Sequence, residues 1–180
     1  MELSWIKDER PVWDVDKQRA IGGAPPGSLE LHHEPGADLP GDWWAVRDPE
    51  GRTLGFGWLD ATWGGDAEVL LAVDSSSQGQ GVGTFILERI EREAARKGIN
   101  YVYNTVRSTH PDRDSVHDWL AVRGYQGASS DTALRKRVRD EDEAPPPARA
   151  PAGNGSTPLS SRPPGHEETG GYVNIEDHQY

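Results

Sequence analysis

Glu68-Val69-Leu70-Leu71-Ala72-Val73, then Asp74-Ser75-Ser76-Ser77, then Gln78-Gly79-Gln80-Gly81-Val82-Gly83 is the stretch on which the rest of the chain depends. Within Ala67 to Gly98 it reads as an apolar strand, a polar turn, a glycine-rich turn and an amphipathic helix. A strand that runs into a glycine-rich turn opening a helix leaves several backbone N–H groups without partners, and the helix dipole adds positive potential at the same spot. Such a place binds anions, phosphates above all.

Spacing separates the three nucleotide readings of a glycine-rich turn. A Walker phosphate loop needs Lys followed by Ser or Thr after its last Gly, whereas Gly83 is followed by Thr84 and Phe85. A dinucleotide fingerprint needs Gly at its first, third and sixth positions; counted from Gly79 the third is Gly81, but the sixth is Thr84. The remaining pattern, Gln78 with Gly81 and Gly83, resembles the acyl-CoA pyrophosphate loop of the GNAT superfamily of N-acetyltransferases. The resemblance extends over about residues 42–138 and is strongest over 67–98. It implies an α/β (α+β) fold: a mixed, largely antiparallel sheet with a parallel strand-helix-strand crossover at the CoA site, flanked by helices, to which the composition after Asp140 adds a disordered C-terminal tail. It also implies acetyl-CoA as acyl donor, held by Leu71, Ala72 and Val73 of the strand and by Gln78, Gly79, Gln80, Gly81, Val82, Gly83 and Thr84 of the loop.

The 180 residues suffice for one domain and an extension, and a hydrophobic content of 34% places part of the chain outside a core. There is no cysteine, hence no disulfide framework, thiolate nucleophile or zinc cluster. No apolar run approaches the roughly 20 residues of a membrane span, and Met1 to Arg10 lacks a signal-peptide core, so the expectation is a soluble cytoplasmic protein without a membrane partner. The net charge of −11 argues against nucleic-acid binding, which depends on Lys and Arg. Residues 140–180 hold eight acids against two arginines, −6, which leaves −5 for residues 1–139. CoA is itself polyanionic, so an acidic protein must bind it through local donors, and loop N–H groups serve without net positive charge.

Upstream of the opening stretch, Trp43 to Val46 is an apolar run and Asp48-Pro49-Glu50-Gly51 has hairpin-turn chemistry. Thr53 to Thr62 alternates with Leu54, Phe56 and Trp58 on one face, and Gly64-Gly65-Asp66 turns into the next strand. A three-stranded antiparallel meander results. Residues 1–40 are harder to read: Pro11 to Ile21 suits a short helix, and Gly27 to His33 a brief strand or extended segment carrying Leu29 and Leu31. The superfamily normally places a first strand and one or two acceptor-shaping helices there.

Downstream, Ile86, Leu87, Ile90 and Ala94 fall on one helical stripe, Glu88–Arg92 and Glu93–Lys97 pair at i,i+4, and Lys97-Gly98 is a stop. Ile99 to Val106 is a β-rich run, so a right-handed crossover makes it a parallel neighbour of the Glu68–Val73 strand. A second helix is predicted over Asp114 to Arg123, ended by Gly124, and a closing strand over Thr132 to Val138. In the GNAT fold the two parallel strands splay, and the pantetheine arm of CoA lies in the gap. After Asp140 the composition becomes acidic and rich in Pro, Gly and Ser, which cannot offset chain entropy. The predicted organisation is therefore a GNAT-like domain, 1–139, a disordered linker, 140–170, and a candidate docking peptide, 171–180, containing Gly171-Tyr172-Val173-Asn174-Ile175.

Acetyl transfer to an amine needs the thioester carbonyl polarised, the amine neutral and the departing thiolate stabilised. Backbone N–H groups around Val73 are the oxyanion donors, and a general base helps deprotonate the ammonium. The resemblance points to Glu68 as that base, with Asp66 and Asp60 behind it; otherwise Glu68 is an exposed strand-edge carboxylate. The superfamily's thiolate-protonating Tyr falls on Leu120, a departure that leaves Tyr103, Ser115, His117 or solvent for the task. Asn104 reads either as a hydrogen-bond partner of the pantetheine amides or as an ordinary strand-end residue. His32-His33 carries no metal reading, because adjacent side chains rarely converge on one ion. Trp58 and Trp63 bracket the approach to the splay. Two functions follow: an N-acetyltransferase acting on a primary amine of a small molecule or protein, as a monomer or homodimer, or a catalytically weak CoA-binding adaptor recruited to a protein partner through its C-terminal peptide.

Overall fold

Two hydrophobic periods, near 3.6 in the helices and 2 in the strands, assemble this protein as helices on both faces of one sheet. The computed structural model describes residues 1–62 and 64–139; the linker and terminal peptide read from the sequence lie outside them. The elements are β1 (Ser4–Asp8), α1 (Val15–Ala20), β2 (Asp42–Arg47), β3 (Thr53–Ala61), β4 (Asp66–Val73), α2 (Val82–Arg96), β5 (Tyr101–Thr105), α3 (Arg113–Ala121) and β6 (Ala133–Arg137). The six strands lie in sequence order across the sheet. All neighbours are antiparallel except β4 and β5, which the α2 crossover makes parallel. This is the mixed, largely antiparallel architecture expected.

Alternation sorts side chains between the two faces. Ala67, Val69, Leu87, Ile90, Ala94, Val102 and Leu120 form the core beneath α2 and α3. Trp13, Ala20, Ile21, Trp43, Phe56, Trp58 and Ala72 form a second core under α1. On β4 the odd positions Ala67 and Val69 thus face α2, which puts the even positions Glu68, Leu70 and Ala72 toward α1. Gly57 lets α2 come close, since a Cβ there would sit 2.6 Å from Ile86 Cγ2.

Several expectations need correction. Leu54 does not share a cluster with Phe56 and Trp58; it packs with Val46, Val82 and Ile86. Glu93 pairs with Arg96 at 3.2 Å, and Lys97 reaches Asp42 at 2.9 Å instead of Glu93. Gly27 to His33 forms no strand, although Leu29 and Leu31 pack onto the second core. The edge strand β1 went unread, because Ser4–Asp8 buries little: Ile6 is 42% exposed.

The helix α1 is shorter than predicted and is held by its cap and by one buried charge. Asp14 accepts from the Lys17 N–H at 2.9 Å. Lys17 itself is buried, with Nζ 3.0 Å from Asp8 Oδ2 and 3.1 Å from Asp14 Oδ2. A buried ammonium persists only when paired, so this contact fixes α1 to the end of β1. Among the described residues no helix is long and apolar enough to cross a membrane.

Candidate active site

The strand pairs around β4 differ in length, and that difference opens the site. β3 follows β4 from Ala61↔Ala67 to Gly55↔Val73, but β5 pairs with it only at Asp66↔Tyr101, Ala67↔Val102 and Glu68↔Tyr103. Beyond Glu68 the two parallel strands part. At the fork the Asn104 side-chain amide donates to the Val69 carbonyl at 2.7 Å, so one end of that side chain stabilises the split itself. The gap continues as a cleft of about 360 Å³ whose walls include Leu71, Ala72, Val73, Gln78, Asn104 and Trp119.

The turn that follows β4 is built from local hydrogen bonds. Asp74 is buried and receives the Ser76 N–H at 3.2 Å, the Ser76 hydroxyl, and Arg19 Nε at 3.1 Å. The Ser76 hydroxyl chiefly lowers the Asp74 pKa; burial opposes this, and the Ser76 N–H and Arg19 add to the lowering. Arg19 also donates to the Thr53 carbonyl at 2.9 Å and to Asp16 at 2.8 Å, which clamps α1 to the entry of the turn. Gln78 Nε2 then donates to the Val73 carbonyl at 3.3 Å, and Gln80 Nε2 to the Ser76 carbonyl at 3.3 Å.

Gly81 caps α2 in the left-handed region, φ 83°, with no side chain bonded to the helix start and no acid in its first turn. The first N–H to find a backbone acceptor is that of Phe85, on Gly81 at 3.0 Å. Among the described residues, the main-chain N–H groups from Gln78 through Thr84 lie in tight turns and at the helix start, and none of them makes a well-formed hydrogen bond. At Gly83 a Cβ would meet Trp119, Val73 and Leu71 only at 3.7–3.8 Å, so the protein's own packing does not demand glycine there. A close-lying anion would.

Positive charge comes from α3's end. Arg123 donates to Thr84 Oγ1 and to the Trp119 carbonyl, both at 2.8 Å, and its guanidinium lies 4.2 Å from the Trp119 ring centre. Because arginine cannot accept, the Thr84 hydroxyl hydrogen stays available, beside a backbone N–H that is also unpaired. Sequence reading missed Arg123; its place four residues past Trp119, in a helix ending at Gly124, is the only signal.

A second cavity, about 270 Å³, adjoins the cleft: Ser28, Leu29, Leu70 and Thr105 line both. Glu68 lines this second cavity with Asp60, its cross-strand partner, and with Trp43 and Trp58, stacked at 4.3 Å. The structure therefore brings Glu68 and Asp60 together, while Asp66 is held by Arg135 at 2.8 Å. Tyr103 stands beside Glu68 in register but lines neither cavity; burial first, and then the charges of Glu68, Asp60 and Asp66, raise its pKa. Ser115 is exposed and off both walls, and Leu120 lies in the core. His117 Nε2 is 3.2 Å from the Ala128 carbonyl. Trp63 lies outside the described residues.

The cleft holds one proton carrier that the sequence did not single out. His110 lines it, and its Nδ1 accepts the Asp112 N–H at 3.0 Å, so the neutral ring carries its proton on Nε2.

The Acetyltransferase (GNAT) family model matches residues 5–124. No curated protein matches the chain significantly. Among solved structures, PaiA N-acetyltransferase from Thermoplasma acidophilum in complex with coenzyme A is 18% identical, with a TM-score of 0.44 over 53% of this chain and 59% of that one. A GNAT superfamily phosphinothricin acetyltransferase from Sinorhizobium meliloti in complex with AcCoA is 16% identical, with a TM-score of 0.46 over 62% and 69%. An acetyltransferase of the GNAT family from Staphylococcus aureus Mu50 is 13% identical, with a TM-score of 0.46 over 54% and 68%.

Proposed function

Because this chain belongs to the GNAT acetyltransferase family, we propose that it is an N-acetyltransferase moving an acetyl group from acetyl-CoA directly to a primary amine of a small molecule or protein. The observation that carries the reading is the glycine-capped helix start, where no main-chain N–H from Gln78 through Thr84 makes a well-formed hydrogen bond. Those amides, with the Thr84 hydroxyl and Arg123 behind it, would hold the pyrophosphate. Leu71, Ala72, Val73 and Asn104 line the path from there to the fork.

Acetyl-CoA, when bound, supplies a thioester whose carbonyl carbon exchanges its bond to sulfur for a bond to the amine nitrogen. The chain's residues supply placement and proton movement. Glu68, at the wall of the adjoining cavity, takes a proton from the incoming ammonium on a carboxylate oxygen. The Nε2–H of His110 would hydrogen-bond the departing thiolate while that sulfur takes up the proton the nitrogen sheds on becoming an amide, a role for which Leu120 is unsuited and from which Ser115 and Tyr103 stand apart. Orientation in two adjoining cavities provides much of the remaining rate.

Titration calorimetry with CoA, followed by steady-state thiol release from acetyl-CoA over a panel of amines, tests the reading. Saturable CoA binding with amine-dependent thiol release is the expected result. Failure to bind CoA would overturn it, and binding without turnover on any amine would remove the transferase part.

A further inference from the structure

The second cavity is organised in two parallel rows by strand register. Trp43, Trp58 and Leu70 are successive cross-strand partners on β2, β3 and β4, and form an apolar row. One step along, Asp60, Glu68 and Tyr103 are successive partners on β3, β4 and β5. All six side chains belong to the α1-facing side of the sheet by alternation, and Trp43, Trp58, Leu70, Asp60 and Glu68 line the cavity.

Carboxylates placed directly opposite one another on neighbouring strands repel. Asp60 and Glu68 are so placed, and among the described residues neither has a salt-bridge or hydrogen-bond partner, in contrast to Asp66 with Arg135. The charged side chains of the wall, Glu30, Asp60 and Glu68 against Arg107, sum to −2, and Arg107 Nη1 lies 2.9 Å from Glu30 Oε2. An ammonium beside the two carboxylates would convert repulsion into two attractions, whereas an anionic group on the same molecule would add to the repulsion.

Resting on the transferase reading above, we propose that the acceptor is an arylalkylamine: a primary ammonium on an aromatic or apolar body, without a carboxylate or phosphate. Its body lies along the Trp43–Trp58–Leu70 row and its ammonium at the Asp60–Glu68 row. Glu68 lies one register step from Leu70 on β4, and Leu70 and Thr105 form the wall shared with the donor cleft. A free amino acid fits the apolar row equally well and differs only in the charge it brings.

Matched acceptors that differ by one carboxylate, phenethylamine against phenylalanine and tryptamine against tryptophan, test this on the full chain saturated with CoA, by calorimetry, and with acetyl-CoA, by thiol release. The amine of each pair is expected to bind and turn over at least about tenfold better, since removing one nearby charge repulsion is worth roughly that factor. Asp60→Asn changes an exposed residue outside the proton path, and should narrow the preference while leaving CoA affinity unchanged. Asp60→Arg should reverse it. Equal binding within each pair, preference for the amino acids, or no binding of either class by a protein that binds CoA overturns this inference alone. A wild-type chain that does not bind CoA overturns the parent reading and this inference with it.

Discussion

The turn from Gln78 to Thr84 draws its binding groups from seven consecutive residues, whereas the adjoining cavity draws on Glu30, Trp43, Trp58, Asp60, Glu68 and Arg107 from across the chain. In the first the chemistry belongs to the main chain, so glycine and helix geometry matter more than side-chain identity. In the second it belongs to side chains delivered by register, and a one-residue slip of β3 on β4 would send Trp58 and Asp60 to the opposite face. On the proposed reading, donor binding rests chiefly on a local turn, with Arg123 and Asn104 as distant supports, and acceptor choice on the whole sheet.

The sharpest way to break that contrast is a charge in the turn. Gly81→Asp places a carboxylate where the pyrophosphate would lie, in a left-handed backbone that Asp and Asn tolerate better than most residues, with nothing within 4 Å of the new Cβ. CoA affinity should fall by about a hundredfold or more, with the melting temperature nearly unchanged, while Gly81→Asn should retain much of the binding, because charge and not bulk is at fault. Equal CoA dissociation constants for wild type and Gly81→Asp would place the anion site elsewhere.

Glu68→Gln probes the other region. If Glu68 is the general base as proposed, its loss should lower kcat by about a hundredfold while leaving the CoA dissociation constant in place. Calorimetry showing the two quantities falling together would mean that the regions are not separable.

The smallest effect is expected from Asp74→Asn, which tests how the turn is supported. The Asp74 carboxyl has a lowered pKa in the folded chain, chiefly through the Ser76 hydroxyl. Its contribution is thus complete above the ordinary carboxylate value of about 4 and disappears as pH falls through the lower folded value. Wild-type melting temperature should drop over that acid range, and the variant should start lower at neutral pH and decline less steeply. Parallel decline in the two proteins would show that the carboxylate adds nothing to stability.

These differences also explain what the sequence disclosed. The turn, the α2 stripe of Ile86, Leu87, Ile90 and Ala94, and the meander ahead of them rest on short spacings, and the structure shows them at nearly the expected residues. Residues 1–40 resisted reading because β1 is an edge strand that buries little and α1 is only six residues long, stabilised by the distant pairing of Lys17 with Asp8. His110 and Arg123 were passed over for a related reason: each gains its meaning from a partner, Asp112 N–H or Thr84 Oγ1, rather than from a repeat. Glu68 was singled out by resemblance, but its neighbour Asp60 acquires weight only when β3 is laid against β4.

Ser28, Leu29, Leu70 and Thr105 stand as a party wall between the two chambers. Trimming or enlarging any of them alters both rooms at once, so if the two hold donor and acceptor as proposed, the Michaelis constants of the two substrates cannot drift independently through these positions. A lineage changing its diet of acceptors would be steered toward Trp43, Trp58 and Asp60 instead, the side of the second chamber farthest from that partition in function, where a new preference leaves the first untouched.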